Sequence, residues 1–225
     1  MKSKLILYLW CMCTFSACTF SGKGGKEETL YSGEIRIAVD ESFKPIMEEE
    51  LQVYHALTPE ALITPIYCSE VEAVNLLLKD SVRLAVTNRR LTEEELISFH
   101  TRKFFPESIL MALSGVALIT HHSNPDSLIT VEEFRRIATG ETTEWKGLNP
   151  DSKLGCIQVV FDNPNSGTVH YVIDSICLGK PLSPSLKALK SNEEVIDYVA
   201  TTPDALGVIG ANWIGNKTDT TRLSF

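Results

Sequence analysis

Three loops combine hydroxyl groups and small residues with the start of a helix, a layout that can bind an anion. Each follows a short apolar stretch that we predict to be a β-strand: 40–43 (DESF), 68–70 (CSE) and 163–168 (NPNSGT). A helix N-terminus leaves backbone N–H groups without partners and carries the positive end of the helix dipole. Because each loop alone also fits an ordinary N-cap, the prediction of an oxyanion site rests on all three loops.

The loop Ser166-Gly167-Thr168 fits anion binding best. Two hydroxyls flank a glycine, and a residue without a side chain lets the backbone approach a ligand closely. In open α/β sheets, such loops lie at the carboxyl ends of the strands, where ligands bind. We therefore expect this loop to contribute most of the contacts to a bound oxyanion.

The segments that must position these loops alternate between strand and helix patterns. Apolar β-rich stretches predict strands, and apolar residues at helical spacing behind capping motifs predict helices. The predicted strands are 35–39, 62–67, 82–87, 116–120, 157–161 and 206–210. The predicted helices are 44–57, 70–79, one opening at Thr92, 132–139, 168–178 and one from Ser191 to about residue 201. This alternation indicates an α/β fold with largely parallel sheets.

The first residues indicate export. Lys2 and Lys4 precede the apolar stretch 5–15, which has the length of a signal-peptide core and is too short for a membrane span. Residues 15–18 (FSAC) resemble the bacterial lipoprotein box, which implies cleavage before Cys18 and a lipid on its thiol. The alternative is an ordinary signal peptide cut nearby. We predict a signal peptide at 1–17 and a flexible tether at 18–32.

The charge and the cysteines narrow the function classes. Residues 1–17 contain two lysines and no acids, so their removal changes the formal net charge from −8 to −10. Such an acidic chain is a poor nucleic-acid binder, and local dipoles must hold any bound anion. Cys68, Cys156 and Cys177 lack metal-ligand spacing, so no metal is predicted. They allow either one disulfide, with Cys156–Cys177 the favoured pair, or three free thiols.

Four segments, spread between residues 33 and 213, resemble the phosphate-binding proteins of ABC-type uptake systems. They are 38–43 (AVDESF), 85–92 (AVTNRRLT), 161–168 (FDNPNSGT) and 205–210 (ALGVIG). The resemblance implies a two-lobed type II periplasmic-binding-protein fold, α/β with a mainly parallel sheet in each lobe. We expect lobe 1 at 33–114 and lobe 2 at 115–213.

The resemblance also implies the residues that contact the oxyanion. In that family a hydroxyl-aromatic pair follows the first strand, a serine follows the second, and a Ser-Gly-Thr loop belongs to the second lobe. The corresponding residues are Ser42, Phe43, Ser69, Ser166, Gly167 and Thr168.

Two positions depart from the family pattern. Asn88 replaces the aspartate that accepts the phosphate proton, and Asp162 replaces an arginine four residues before Ser166. Asn88 can still accept a hydrogen bond through its carbonyl oxygen. We hypothesise that Arg89 replaces the missing guanidinium with a bidentate contact to the oxyanion, and that Asp162 accepts the ligand proton. The alternative is that Arg89 is a solvated loop charge and Asp162 pairs with local amides.

Family members usually continue past this C-terminus and return to lobe 1, so we predict that residues 214–225 are a tail and that the return segment is missing. The sequence lacks the common hydrolase and nucleotide-binding motifs, which argues against an enzyme, and implies no cofactor. The resemblance implies a lipid-anchored protein of the cell envelope, on its periplasmic or surface side, that binds phosphate or a similar oxyanion for an ABC permease. The alternative is a non-transport surface or sensory lipoprotein with weak or no anion binding.

Overall fold

The computed structural model describes Thr29, residues 31–126 and 128–214, and the strand Leu223–Ser224. The predicted signal peptide 1–17, the lipidation site Cys18, most of the tether and most of the tail lie outside these residues. No helix in the described ranges is both long and apolar enough to cross a membrane.

Strands and helices alternate along the chain, as the sequence pattern predicts. The strands are β1 (Gly33–Asp40), β2 (Ala61–Cys68), β3 (Ala85–Val86), β4 (Val116–His121), β5 (Gln158–Phe161), β6 (Lys187–Ala188), β7 (Ala205–Gly210) and β8 (Leu223–Ser224). The helices are α1 (Lys44–Leu57), α2 (Glu70–Leu78), α3 (Glu93–Thr101), α4 (Val131–Ala138), α5 (Gly167–Tyr171) and α6 (Asn192–Thr201). Two helices begin with a capping box, α3 after Thr92 and α4 after Thr130, in agreement with the capping motifs in the sequence.

The first sheet has the order β2-β1-β3 and is parallel throughout. Its central strand β1 ends in four consecutive buried residues, from Ile37 to Asp40. The apolar core beside it is small and includes Ala38, Ala73 and Val82. Because parallel strands end at one edge, the loops after β1, β2 and β3 meet there.

The second sheet has the order β6-β5-β7-β4-β8. Strands β5, β6 and β7 are parallel to one another, whereas β4 is antiparallel to both β7 and β8. One larger core on this sheet packs around Trp145, Phe134 and Phe161, and a second around Val195 and Ile209. The prediction of an α/β fold with mainly parallel sheets is confirmed, with β4 reversed. Among the described residues, no helix that packs on the second sheet precedes β4, so no crossover connection fixes its direction.

Two local predictions need correction. The strand predicted at 82–87 pairs only through Ala85 and Val86. The helix predicted at 168–178 consists of the five-residue α5 followed by a π-helical turn, Val172–Ile176. Of the two alternatives that the sequence leaves open for the cysteines, the structure has three free thiols: Cys156 is exposed, Cys177 is buried and Cys68 is partly buried.

Candidate anion-binding site

One buried carboxylate collects hydrogen-bond donors from both sheets. Asp40, the last residue of β1, is fully buried. Its Oδ1 accepts from the backbone N–H of Ser42 at 3.0 Å and from the Ser42 hydroxyl at 2.9 Å. Its Oδ2 accepts from the Asn88 side-chain amide at 3.0 Å and from the Gly167 N–H at 3.2 Å. We call these four residues the Asp40 cradle.

The local chain geometry explains why the cradle forms. Asp40 caps the 3-10 turn Glu41–Phe43, so its side chain faces the Ser42 N–H. Asn88 lies in the loop after β3, which is the neighbour of β1. Gly167 is the first residue of α5, where the backbone N–H has no helical partner. Three elements therefore aim neutral donors at one point.

The approach at Gly167 leaves no room for a side chain. A Cβ built on this residue would lie 2.0 Å from the Asn88 Nδ2 and 2.7 Å from the Asp40 Oδ2. Real Cβ contacts are much longer, so a larger residue would have to displace the Asn88 and Asp40 side chains or push the second sheet's loop away from the first. Glycine fits here because these two side chains approach its backbone so closely.

A second buried carboxylate, Asp162, follows β5. Its Oδ1 accepts from the Ser166 hydroxyl at 2.7 Å, and its Oδ2 accepts from the Asn192 amide at 3.2 Å. The Asn192 amide also donates to Glu41 at 2.6 Å, and the Asn192 carbonyl oxygen accepts from the Gly210 N–H at 3.1 Å. Asn192 therefore connects the first sheet's turn to the ends of β5 and β7.

The charged groups form a separate set, the Glu70 network. The fully buried Glu70 accepts from the Asn88 N–H at 3.1 Å and contacts His170 Nδ1 at 2.9 Å and Arg89 Nε at 3.4 Å. The two terminal nitrogens of Arg89 contact the two Glu95 oxygens, both at 2.8 Å. Glu70 is thus held by a backbone donor and by side chains from both sheets.

The electrostatics of the two sets differ. Burial raises the pKa of Asp40, and the charge of Glu70 raises it further against the hydrogen bonds that lower it. Burial also raises the pKa of Asp162 to about 6, with the Asp40 charge contributing. By contrast, the hydrogen bonds and charge of Arg89 lower the pKa of Glu95 to about 2. The cradle holds negative charge with neutral donors, and this is costly because the Asp40 carboxylate is buried.

A cavity of about 280 Å³ lies beside the cradle. Its wall includes both buried aspartates, Ser69, Ser166 and Lys190. The volume is ample for a tetrahedral oxyanion and its closest waters. In the described part of the chain, no group of His, Cys, Asp and Glu side chains could hold a metal ion.

The structure brings some of the predicted residues together. Ser42, Asn88 and Gly167 meet in the cradle, and Ser166 lies next to it through Asp162. Thr168 is buried in the first turn of α5. Whether these residues contact an oxyanion stays a prediction.

The other predicted residues lie further from the cradle. Ser69 caps α2 by accepting from the Glu72 N–H and lines the cavity, and the partly buried Phe43 precedes α1. Arg89 is paired with Glu95 and Glu70 and does not donate to the cradle's carboxylate. Its predicted bidentate contact with an oxyanion would require it to leave Glu95.

Sequence reasoning missed Asp40, Glu70 and Asn192 as members of the site. Asp40 carries a usable signal: it is a carboxylate directly after a buried strand, at the edge where ligands bind. Glu70 reads as an ordinary acidic residue in a first helical turn, and Asn192 as part of a cap. Only the packing of the two sheets shows that both are fully buried.

Two sheets whose loops meet around a polar cavity define an α/β protein with two halves. The chain belongs to the PBP superfamily, because the family model of the PBP superfamily domain matches residues 24–223. This match confirms the fold class predicted from the sequence.

Individual relatives extend the comparison. The chain is 25% identical over 193 residues to the phosphate-binding protein PstS of Borreliella burgdorferi, covering 81% of this chain and 65% of that protein. The chain thus spans less than two thirds of the length of this curated relative.

Solved structures share the fold. One is a candidate phosphate ABC transporter substrate-binding protein from Clostridium perfringens with bound phosphate (TM-score 0.70, 22% identity, 80% of this chain and 71% of that chain). Another is an ABC-type phosphate transport receptor from Vibrio cholerae (TM-score 0.59, 22% identity, 85% and 75% coverage).

Proposed function

We propose that this protein binds inorganic phosphate or a similar oxyanion between its two lobes and delivers it to an ABC-type importer. The observation that carries the proposal is the Asp40 cradle. Donors from both sheets converge on the two oxygens of one carboxylate, and a carboxylate presents its oxygens to donors much as a phosphate does. The names of the relatives support phosphate as the ligand.

The binding step uses neutral donors. The backbone N–H groups of Ser42 and Gly167 and the side chains of Ser42 and Asn88 would donate to the oxyanion. Ser42 and Gly167 are buried, and hydrogen bonds from buried donors are strong. Because the donors belong to both sheets, bound solute would hold the halves together, and a permease could recognise that closed state.

The remaining predicted residues take supporting roles in this proposal. Ser69, Ser166 and Thr168 line or flank the cavity and the α5 N-terminus, and Phe43 is the last residue of the turn that carries Ser42. Asp162 is the proposed acceptor for the ligand's own proton. We propose that Arg89 acts indirectly, by holding Glu70 and therefore the Asn88 backbone in place.

The proposed location is the cell envelope, with the protein anchored by a lipid on Cys18 and the tether 18–32 separating the lobes from the membrane. The proposed partners are the oxyanion and a membrane permease, with no nucleic acid and no cofactor. We propose a binding role without catalysis, consistent with relatives that are named as binding proteins.

A second function is favoured by one specific observation. Asp40 already accepts hydrogen bonds from the donors of the cradle. The carboxylates of Glu41, Glu70 and Asp162 lie close enough to add to the negative charge there. A protein that keeps the fold as a surface or sensory lipoprotein, with weak or no anion binding, would tolerate this arrangement.

Calorimetric titration of the mature chain, residues 18–225, separates the two functions. The transport proposal predicts saturable one-to-one phosphate binding that is tighter than sulfate binding, without release of product from a phosphoester. Ser42→Ala should weaken phosphate binding about tenfold, because it removes the hydroxyl donor of the cradle and keeps only the backbone N–H of that residue. Ser98→Ala, exposed on α3, is the matched control and should bind as the unaltered chain does. Absence of heat with phosphate would favour the second function.

A further inference from the structure

We propose that Asp40 is a built-in competitor of the solute: its carboxylate occupies the donors that a bound oxyanion needs, and so sets the affinity and selectivity of the site. This inference rests on the proposed function and adds a residue that lowers, rather than supplies, anion affinity.

The geometry of the cradle carries the first step. Both Asp40 oxygens are used, each accepting two hydrogen bonds at 2.9 to 3.2 Å. These donors include the Ser42 hydroxyl and the Gly167 N–H, which the sequence assigns to solute binding. An oxyanion and Asp40 therefore cannot both take them.

The partners of Asp40 point to competition rather than to a structural ion pair. All three partner residues are neutral, and the nearby Glu70 is another acid that is itself fully buried. The Arg89 guanidinium, which could have balanced Asp40, is held by Glu95 and Glu70. A buried carboxylate whose hydrogen bonds come from neutral donors is held at a cost, so these donors are strong enough to bind an anion.

The competition has a structural consequence for the empty protein. The bond from the Gly167 N–H to Asp40 joins the loop of the second sheet to the end of β1. Asp40 thus closes the two halves in the way that a solute would. The solute must break this contact, so the free energy of breaking it is subtracted from the free energy of solute binding. Only ligands with several well-placed acceptor oxygens form enough new hydrogen bonds to offset that free energy.

The decisive variant is Asp40→Asn in the mature chain, titrated with phosphate by calorimetry. Asparagine caps a turn as well as aspartate does, so the fold should survive. Its amide nitrogen cannot accept from Asn88 and Gly167, so those two donors become available to the solute. We expect phosphate to bind at least about tenfold more tightly than to the unaltered chain. Asp40→Ala should change affinity in the same direction.

The matched control is Glu72→Gln, which removes one negative charge from the same cavity wall without touching the cradle. It should strengthen phosphate binding much less than Asp40→Asn does.

Each outcome has a distinct meaning. If the unaltered chain binds phosphate and Asp40→Asn binds it equally or more weakly, Asp40 is a partner of the solute and the inference is overturned while the proposed function stands. An equal gain in Glu72→Gln would overturn it too. Binding only by Asp40→Asn supports the inference and shows that the unaltered chain is blocked. If neither the unaltered chain nor Asp40→Asn binds phosphate, the proposed function and the inference are both overturned.

Discussion

Two carboxylates at the same edge of the first sheet are held in opposite ways. Asp40 lies fully buried among neutral donors, and its pKa is raised by burial. Glu95 caps α3 and receives both terminal nitrogens of Arg89, and its pKa is lowered to about 2. The strongest cation near the site therefore stabilises the scaffold, while hydroxyl, amide and backbone groups form the cradle.

This difference indicates that the charged pair and the neutral donors have different roles. A charged pair such as Arg89–Glu95 fixes a loop, but its cation would have to leave its partner to bind a solute. Neutral donors on a turn, a loop and a helix start can exchange one anion for another with little rearrangement. Changes in the cradle should therefore alter solute affinity, and changes in the Glu70 network should alter stability.

The largest effect is expected from Gly167→Ala. The new Cβ would overlap the Asn88 amide and press on Asp40, so the α5 N-terminus must move away from the cradle. We expect phosphate affinity to fall by roughly a thousandfold in calorimetric titration.

Gly155→Ala is the control for this prediction. The nearest atom to its added Cβ, other than chain neighbours, is 3.8 Å away on Asp204, an ordinary contact. Its phosphate affinity should match that of the unaltered chain. Normal phosphate binding by Gly167→Ala would mean that this loop does not close on the solute.

Arg89→Ala tests the role of the Glu70 network in stability. The substitution leaves Glu70 buried without its guanidinium and releases Glu95, so we expect the free energy of unfolding to fall by about 2–3 kcal/mol. The loss of phosphate affinity should be smaller, within about tenfold. Denaturant unfolding and calorimetry on the same variant measure both, and Arg90→Ala is the control. An affinity loss larger than the stability loss would support a direct contact between Arg89 and the oxyanion.

The two carboxylate environments also predict opposite pH effects on stability. The folded pKa of Asp162 is about 6, above its ordinary 3.8, so its contribution is full below pH 3.8 and is lost as the pH rises through 6. Asp40 and Glu41 are shifted in the same direction. The folded pKa of Glu95 is about 2, below its ordinary 4.5, so its contribution is lost as the pH falls from 4.5 towards 2.

Stability should therefore peak near pH 4 to 5, where both contributions are largely retained. Between pH 7.5 and pH 5 we expect the free energy of unfolding to rise by about 1–2 kcal/mol. Urea unfolding across this range provides the measurement. In Glu95→Gln the decline on the acid side should flatten while the alkaline side is unchanged; a stability that rises steadily up to pH 8 would contradict this assignment.

The smallest effect is expected from His170→Ala. The ring contacts Glu70 at 2.9 Å across the two sheets, but its side chain is 36% exposed and Arg89 remains. We expect a loss of at most about 1 kcal/mol in the free energy of unfolding. A loss as large as that of Arg89→Ala would show that His170, rather than Arg89, supports Glu70.

The sequence predicts much of the fold because its patterns are local. The capping boxes at Thr92 and Thr130 and the buried stretch of β1 can be read from neighbouring residues alone. The reversal of β4 cannot, because strand direction depends on how the chain enters a sheet. The shortening of β3 cannot either, because its pairing depends on contacts with β1 that are distant in sequence.

The site is predicted less completely. Loop chemistry identified Ser42, Ser166 and Gly167, since hydroxyls and glycine at helix starts have a known use. The role of Asp40 depends on a residue 127 positions away, and a carboxylate that faces neutral donors looks the same in sequence as one that faces solvent. The pairing of Arg89 with Glu95 cannot be predicted from the sequence, because it depends on how the loop after β3 folds against the first turn of α3. The contact of Arg89 with the oxyanion stays a prediction.

The most direct test of the central claim follows the backbone amide of Gly167 by NMR while phosphate is added to the mature chain. The account predicts that this resonance and that of the Ser42 amide shift together and saturate with the same dissociation constant as the calorimetric titration. Phosphate binding that leaves both amides unmoved would contradict the claim that these donors hold the oxyanion.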